Sequence, residues 1–379
     1  MPDHKEGERG ALVRLLAVYL LWNAAGVLGG SFVYLYFMAA GASMAGLVLS
    51  FFFWAGAPIL VIRLMDGRKA GMRTLLLAGV AIQAASYFTL AFGPPALITL
   101  CAFSFLVGMN CFLFWVPFNA MFFELGRGRE ALLGSVYFAI NPLFGIFLPL
   151  IGGAIATAHG LGLVFLIAAV SYAAVVPLAF LALDEREFRF GLGRCLAGLK
   201  GFKTLVFLEG VYGGGMAAAM AVIALLYFGT PAELGLYLAV TTLFSVLASF
   251  VVSRLSDRSR KRKRYIGIFG SGLGVMSAAM SLAKSALPWS AAVSARNFFS
   301  SLFYPFTTAI IMDNKKESLG EAMAGREWLL NYGRLLGIAV VLACTVLLND
   351  IHLSLALLGL AILAYPAVIE LKKKHISVE

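Results

Sequence analysis

Glu209, Arg296 and Arg334 each stand inside a long apolar run of this chain, where a charge needs something to answer it. A charged side chain at mid-bilayer costs about 2.5–3.5 kcal/mol on insertion scales, so such residues face a partner or an aqueous cavity. Arg296, followed at once by Asn297, lies roughly 12 Å deep at ~1.5 Å per residue. A guanidinium there either recognises a substrate or coupling group or pairs with a neighbouring carbonyl or carboxylate. Arg334 shares a helical face with Asn331 and Glu327, and either pairs with Glu327 or extends into a cavity. Glu209, with Gly210, Tyr212 and the Gly213-Gly214-Gly215 run behind it, is the carboxylate placed to carry a proton. Its alternative is snorkelling toward the span end near Lys203.

Asn23 and Asn110 add neutral hydrogen-bonding groups expected to face a cavity, whereas Asn119, Tyr137 and Asn141 read as glue between helices. Trp22 and Trp115 either stack on a substrate or pack as core. The 4 histidines, His4, His159, His352 and His375, lie at termini or span ends, and no cluster has metal-ligand spacing. Neither a metal nor a cofactor is expected, nor an enzyme, with lipid-modifying chemistry that needs no histidine as the remaining alternative. Cys101, Cys111 and Cys344 fall in apolar runs and Cys195 in a charged connection, so disulfides are not expected.

These residues need a frame, and composition supplies its outline. With 61% hydrophobic and 13% charged residues, the chain has more apolar surface than a soluble core can bury. A span takes roughly 20 mostly apolar residues to cross a hydrocarbon layer of about 30 Å. Apolar runs between charged or Gly/Pro punctuation predict 12 spans, at 12–38, 43–65, 72–93, 95–120, 130–155, 161–183, 203–228, 232–254, 265–284, 288–312, 325–348 and 352–371. The first run is too long for a cleaved signal peptide and follows a tail of mixed charge, so it stays as a span.

Turns after odd-numbered spans are short and nearly uncharged. Of the 30 Lys and Arg, 27 fall on the opposite side, Lys284 alone lies outside, and Arg296 and Arg334 stay within spans. Cytoplasmic loops retain Lys and Arg, so a multi-pass protein of the cell (plasma) membrane with both termini in the cytoplasm is expected. An odd counting error would scramble that asymmetry, so it also supports the even number. The pI near 9.6 then reflects topology and contact with anionic membrane lipid. No recognition module accompanies the charge, so nucleic acid is not an expected partner.

The chain also repeats itself. Asp66 recurs as Asp257 and Tyr36-Phe37 as Tyr227-Phe228, both at an offset of 191. Val116-Pro117-Phe118 through Glu124 matches Tyr304-Pro305-Phe306 through Asp313 at an offset near 188. Gly128-Arg129-Glu130 returns as Gly325-Arg326-Glu327, each followed one residue later by Leu-Leu. Two parallel six-span bundles follow, at 1–183 and 203–379, joined by a cytoplasmic linker at 184–202 expected to lie partly on the membrane as a short amphipathic helix. No Lys-containing phosphate cradle is present, so direct coupling to ATP is not expected.

Two six-span halves, a cytoplasmic linker, and an Asp with basic residues after spans two and eight resemble the major facilitator superfamily over almost the whole chain. Ser253-Arg254-Leu255-Ser256-Asp257-Arg258-Ser259-Arg260-Lys261-Arg262 keeps the family's Asp, Arg and basic pair but replaces both glycines, while Asp66-Gly67-Arg68-Lys69-Ala70-Gly71 keeps Asp and the basic cluster at altered spacing. The resemblance implies an all-α fold of twelve transmembrane helices in two pseudo-symmetric bundles. It also implies a cytoplasmic gate in which Asp66 lies near Arg326 and Glu327 at the start of span eleven, and Asp257 and Arg258 near Arg129 and Glu130 at the start of span five. Pro149-Leu150-Ile151-Gly152-Gly153 matches the end of an exchanger motif, with simple helix packing as the alternative. The arginine that opens the family's proton-coupling motif in span four is absent.

The function so implied is secondary transport of a small organic solute, anionic or amphiphilic, by rocking of the halves. Proton-coupled efflux is the first reading, and import of an anionic metabolite the alternative. The partners implied are a small-molecule substrate, a proton and membrane lipid, with the chain acting as a monomer.

Overall fold

In lipid, an apolar run can satisfy its backbone N–H and C=O groups only within itself, and every predicted span is helical. The computed structural model describes residues 2–125, 130–182, 185–256, 262–313 and 319–371. The first half consists of α1 (Pro2–Gly30) with α2 (Val33–Ala39), α3 (Met44–Met65), α4 (Met72–Phe92), α5 (Leu97–Leu113) with α6 (Trp115–Leu125), α7 (Glu130–His159) and α8 (Leu161–Ala182). A linker carries a strand and the short helix α9 (Leu192–Gly198). The second half consists of α10 (Lys203–Ala224), α11 (Pro231–Ser256), α12 (Arg262–Met280), α13 (Ala286–Asp313), α14 (Leu319–Val346) and α15 (Ile351–Leu371).

Spans one and four are each broken into two helices. In span four the break at Phe114 follows from Pro117, whose ring clashes with the carbonyl four residues back and which offers no N–H. Among the described residues, ten of the spans are long and apolar enough to cross a membrane. The remaining two, α12 and α13, carry Arg262-Lys263-Arg264 and Arg296-Asn297 respectively. The protein is thus an all-α, multi-pass membrane protein.

Packing follows the sequence repeat. In the first half α4 packs on α5 and α8, and in the second half α12 packs on α13 and α15. Likewise α3 packs on α5 as α11 packs on α13. The halves meet along two seams, α7 against α11 and α3 against α14, which exchange under the same six-span shift. The Pro149–Gly153 stretch lies on the first seam, where the absent side chain of Gly235 lets α11 approach the Pro149 carbonyl. Lys284, the cation predicted on the far side from the linker, pairs with Asp350 at 3.7 Å.

The linker departs from expectation. Its strand β2 (Glu187–Arg189) pairs antiparallel with β1 (Lys69–Gly71), in the loop after α3. Leu192 and Cys195 of α9 are buried in an apolar cluster with Val61, Ile62, Leu75, Phe112 and Ala324. The helix therefore covers its apolar face with protein.

Candidate substrate and coupling site

Helices α10 and α14 touch backbone to backbone. Gly210 lies against the Leu330 carbonyl and Gly333 against that of Phe207, contacts in which any β-carbon would force the helices apart. That approach delivers Glu209 of α10 to α14, where Arg326 Nη2 donates to Glu209 Oε1. The chain of charge continues: Arg326 Nη1 lies 3.8 Å from Glu327 Oε1, and Arg334 Nη1 lies 3.3 Å from Glu327 Oε2. Asn331 ties the last two together, donating to Glu327 Oε2 at 3.2 Å and accepting from Arg334 at 2.9 Å. Two carboxylates and two guanidiniums thus form one neutral network. Within it Glu209 Oε2 and Arg326 Nε are buried with no hydrogen-bond partner among the described residues.

The network reaches across the seam. Arg334 lies over the ring of Trp54 in α3, 4.8 Å from its centroid, and 3.9 Å from Cys111 Sγ in α5. Arg334 thus pairs with Glu327 and also touches side chains of the opposite half. Glu209 does not snorkel: it is buried and held by Arg326.

Arg296 has different company. Its Nε donates to Tyr212 Oη at 3.1 Å, its Nη1 to Asn297 Oδ1 at 3.1 Å, and its guanidinium lies 5.6 Å from the Tyr212 ring centroid. Ser277 donates to the Leu273 carbonyl at 2.7 Å, so Tyr212 gives its own proton to Ser277 and offers oxygen lone pairs to Arg296. Asn297 is anchored in turn by the Thr241 carbonyl at 3.3 Å. Among the described residues no carboxylate pairs with Arg296, and Nη2 makes none of its hydrogen bonds.

Several expectations need correction. Asn23 donates to the Tyr19 carbonyl at 2.8 Å and accepts from Asn141 at 3.1 Å, joining α1 to α7. Asn110 donates to Gln83 at 2.6 Å, joining α5 to α4. Both are buried between helices of the first half because an amide in an apolar bundle finds its partner on the adjoining helix. Of the two readings of Trp22 the core one holds, since it is buried and stacked on Phe114 at 3.5 Å. Asp66 does not pair with Arg326. It accepts from the Leu192 N–H at 2.8 Å and lies 3.2 Å from Arg63, while Arg326 is held by Glu209. Asp257, Arg258, Arg129 and the side chain of Glu130 lie outside the described residues. Trp54, Ser277 and Thr241 were not singled out from the sequence, where nothing separates them from ordinary span residues, and Cys111 was considered there only for disulfide formation.

Comparison with solved structures matches the fold over nearly the full length. A POT family transporter in complex with 5-aminolevulinic acid aligns with a TM-score of 0.73 at 12% identity, covering 97% of this chain and 96% of that one. FucP, a major facilitator superfamily transporter in the outward conformation, aligns at 0.69 with 15% identity, covering 97% and 99%. This chain has the major facilitator superfamily fold. The human organic anion transporter MFSD10 (TETRAN) aligns at 0.67 with 13% identity, covering 96% and 99%. No family model and no curated protein sequence matches the chain. In this major facilitator fold, Arg296 and the Glu209 network both belong to the second half, while Trp54 and Cys111 face the network from the first.

Proposed function

We propose that the protein is a secondary transporter of a small organic anion with an apolar body, bound end-on by Arg296 and moved by alternating rotation of residues 1–183 against 203–379. The observation that carries this reading is the charge balance of the interior. Glu209, Arg326, Glu327 and Arg334 balance one another in formal charge, and among the described residues Arg296 is a cation answered by Tyr212 and Asn297 and by no carboxylate. An embedded cation without a counter-ion is costly, and an anionic solute supplies what is missing. The likeness to an organic anion transporter and to a transporter holding 5-aminolevulinic acid supports the same class. The linker face is assigned to the cytoplasm from the 27 of 30 cations gathered there.

A proton is the coupling ion in this reading. Protonation of Glu209 removes the charge that holds Arg326 and shifts the neutral network to a net positive one, tying proton binding to the α10–α14 contact. We assign export against proton entry as the direction.

Proteoliposomes loaded with benzenesulfonate, whose charge does not change with pH, test all of this. Efflux accelerated by an inward proton gradient, lost in Arg296→Gln and made indifferent to the gradient in Glu209→Gln, is the expected result. Uptake driven by the same gradient makes the protein a symporting importer instead, and an undiminished flux in Arg296→Gln removes the anion site. Tyr212→Phe keeps the ring but deletes the bond to Arg296 Nε. Since a hydrogen bond to a charged group contributes about 1.5–3 kcal/mol, its affinity for benzenesulfonate should fall roughly tenfold or more in a titration.

A further inference from the structure

The linker is bound to the two halves in unlike ways. Toward the first half it is held by backbone. The β1–β2 pair runs in register Lys69↔Arg189, Ala70↔Phe188 and Gly71↔Glu187, the Gly67 N–H donates to the Phe190 carbonyl at 3.0 Å, and the Met72 N–H donates to the Arg186 carbonyl at 2.8 Å. Asp66 adds a charged acceptor for the Leu192 N–H that opens α9. Toward the second half it is held by side-chain contact on a seat cut into α14. The Phe188 ring rests on Gly320, Cys195 rests on Gly325, and Arg194 lies 3.5 Å from Glu321. A β-carbon at 320 would strike the Phe188 ring, and one at 325 would lie 3.0 Å from Cys195 Cβ. The seat exists because both positions are glycine.

A hydrogen-bonded strand pair gives way only when several bonds break together, whereas rings and aliphatic groups resting on glycine part by a slide of a few ångströms. We propose that residues 185–198 form a strap that travels with the first half, closes the linker face by seating on α14, and is the surface that parts when that face opens. The motif aspartate Asp66 then serves to hold the strap. The seat also adjoins the site, since Gly325 is followed directly by Arg326, the partner of Glu209. Lifting the strap frees the end of α14 from which the ion-pair network hangs. The proposal rests on rocking of the halves and not on the identity of the solute.

The test uses the full chain in lipid and needs no substrate. Gly325→Cys places a thiol against native Cys195 with the β-carbons a few tenths of an ångström closer than the ~3.5–4.5 Å of ordinary disulfides, so a small shift lets the bond close. Lys69→Cys with Arg189→Cys links the strap to the first half across the strand pair. Hydrogen exchange of residues 319–330 should slow about tenfold or more when the Cys195 link forms, recover with dithiothreitol, and stay within about twofold of native when the strand-pair link forms. No slowing from the Cys195 link, or equal slowing from both links, overturns the strap. Should Gly325→Cys fail to fold, alkylation of Cys195 by N-ethylmaleimide in the native chain decides. Steady reaction, unaltered by the strand-pair link, is expected, and complete protection overturns the proposal. Because neither readout involves flux, a failure to move benzenesulfonate leaves this result standing.

Discussion

If Arg296 binds the solute, benzenesulfonate is expected to raise the melting temperature of the native protein, Arg296→Gln to abolish that rise, and Arg296→Lys to keep only part of it. Two charge-assisted hydrogen bonds from the guanidinium, at about 1.5–3 kcal/mol each, correspond to a loss on the order of a hundredfold or more in affinity. Lysine keeps the charge but not the fork. An ammonium has no second edge with which to hold Tyr212 and Asn297 while facing an anion, so orientation is lost even where attraction remains. The same melting curves separate a binding role from a structural one. If Arg296 serves binding, Arg296→Gln relieves an unanswered charge and the empty protein melts at a higher temperature, the usual exchange of function for stability. A lower melting temperature with an unchanged response to benzenesulfonate would mean that Arg296 is a packing residue.

Arg326→Ala carries the second large effect, on stability. It leaves Glu209 buried with neither of its oxygens answered, and truncating one partner of a buried ion pair costs about 3–5 kcal/mol. Glu209→Gln is milder, because its carboxamide oxygen still accepts from Arg326. The double replacement Glu209→Leu with Arg326→Leu recovers most of the loss, since removing both charges removes the unpaired one. Unfolding of the native protein, Glu209→Leu, Arg326→Leu and the double replacement in one detergent measures the coupling. Additive losses would show that Glu209 and Arg326 do not act as a pair.

The Gly325-Arg326-Glu327 landmark illustrates how far the sequence could be read. Its recurrence marked the start of span eleven, and the three residues prove to be a seat for Cys195, the partner of Glu209 and the partner of Arg334. What the landmark could not contain was any of those partners. Glu209 is 117 residues from Arg326, Cys111 is 223 from Arg334, and Leu192 is 126 from Asp66. Asn23 and Asn110 were misread for the same reason, because a lone amide in an apolar span looks alike whether it faces a cavity or a neighbouring helix.

The sequence by itself determined the number of spans, the sidedness of the cations and the repeat, because each depends on local composition or on copies of one pattern. Hydropathy measures whether a residue leaves water, and lipid and helix bundle are equally good destinations. Which helix covers which face is therefore absent from it. Tertiary structure alone decided that Arg326 belongs to Glu209, that Arg296 meets no carboxylate among the described residues, and that Asp66 holds the linker. Those outcomes rest on backbones brought together at Gly210 and Gly333, and on a strand pair closed between a loop and the linker. Both are contacts between segments more than a hundred residues apart, which local patterning cannot encode.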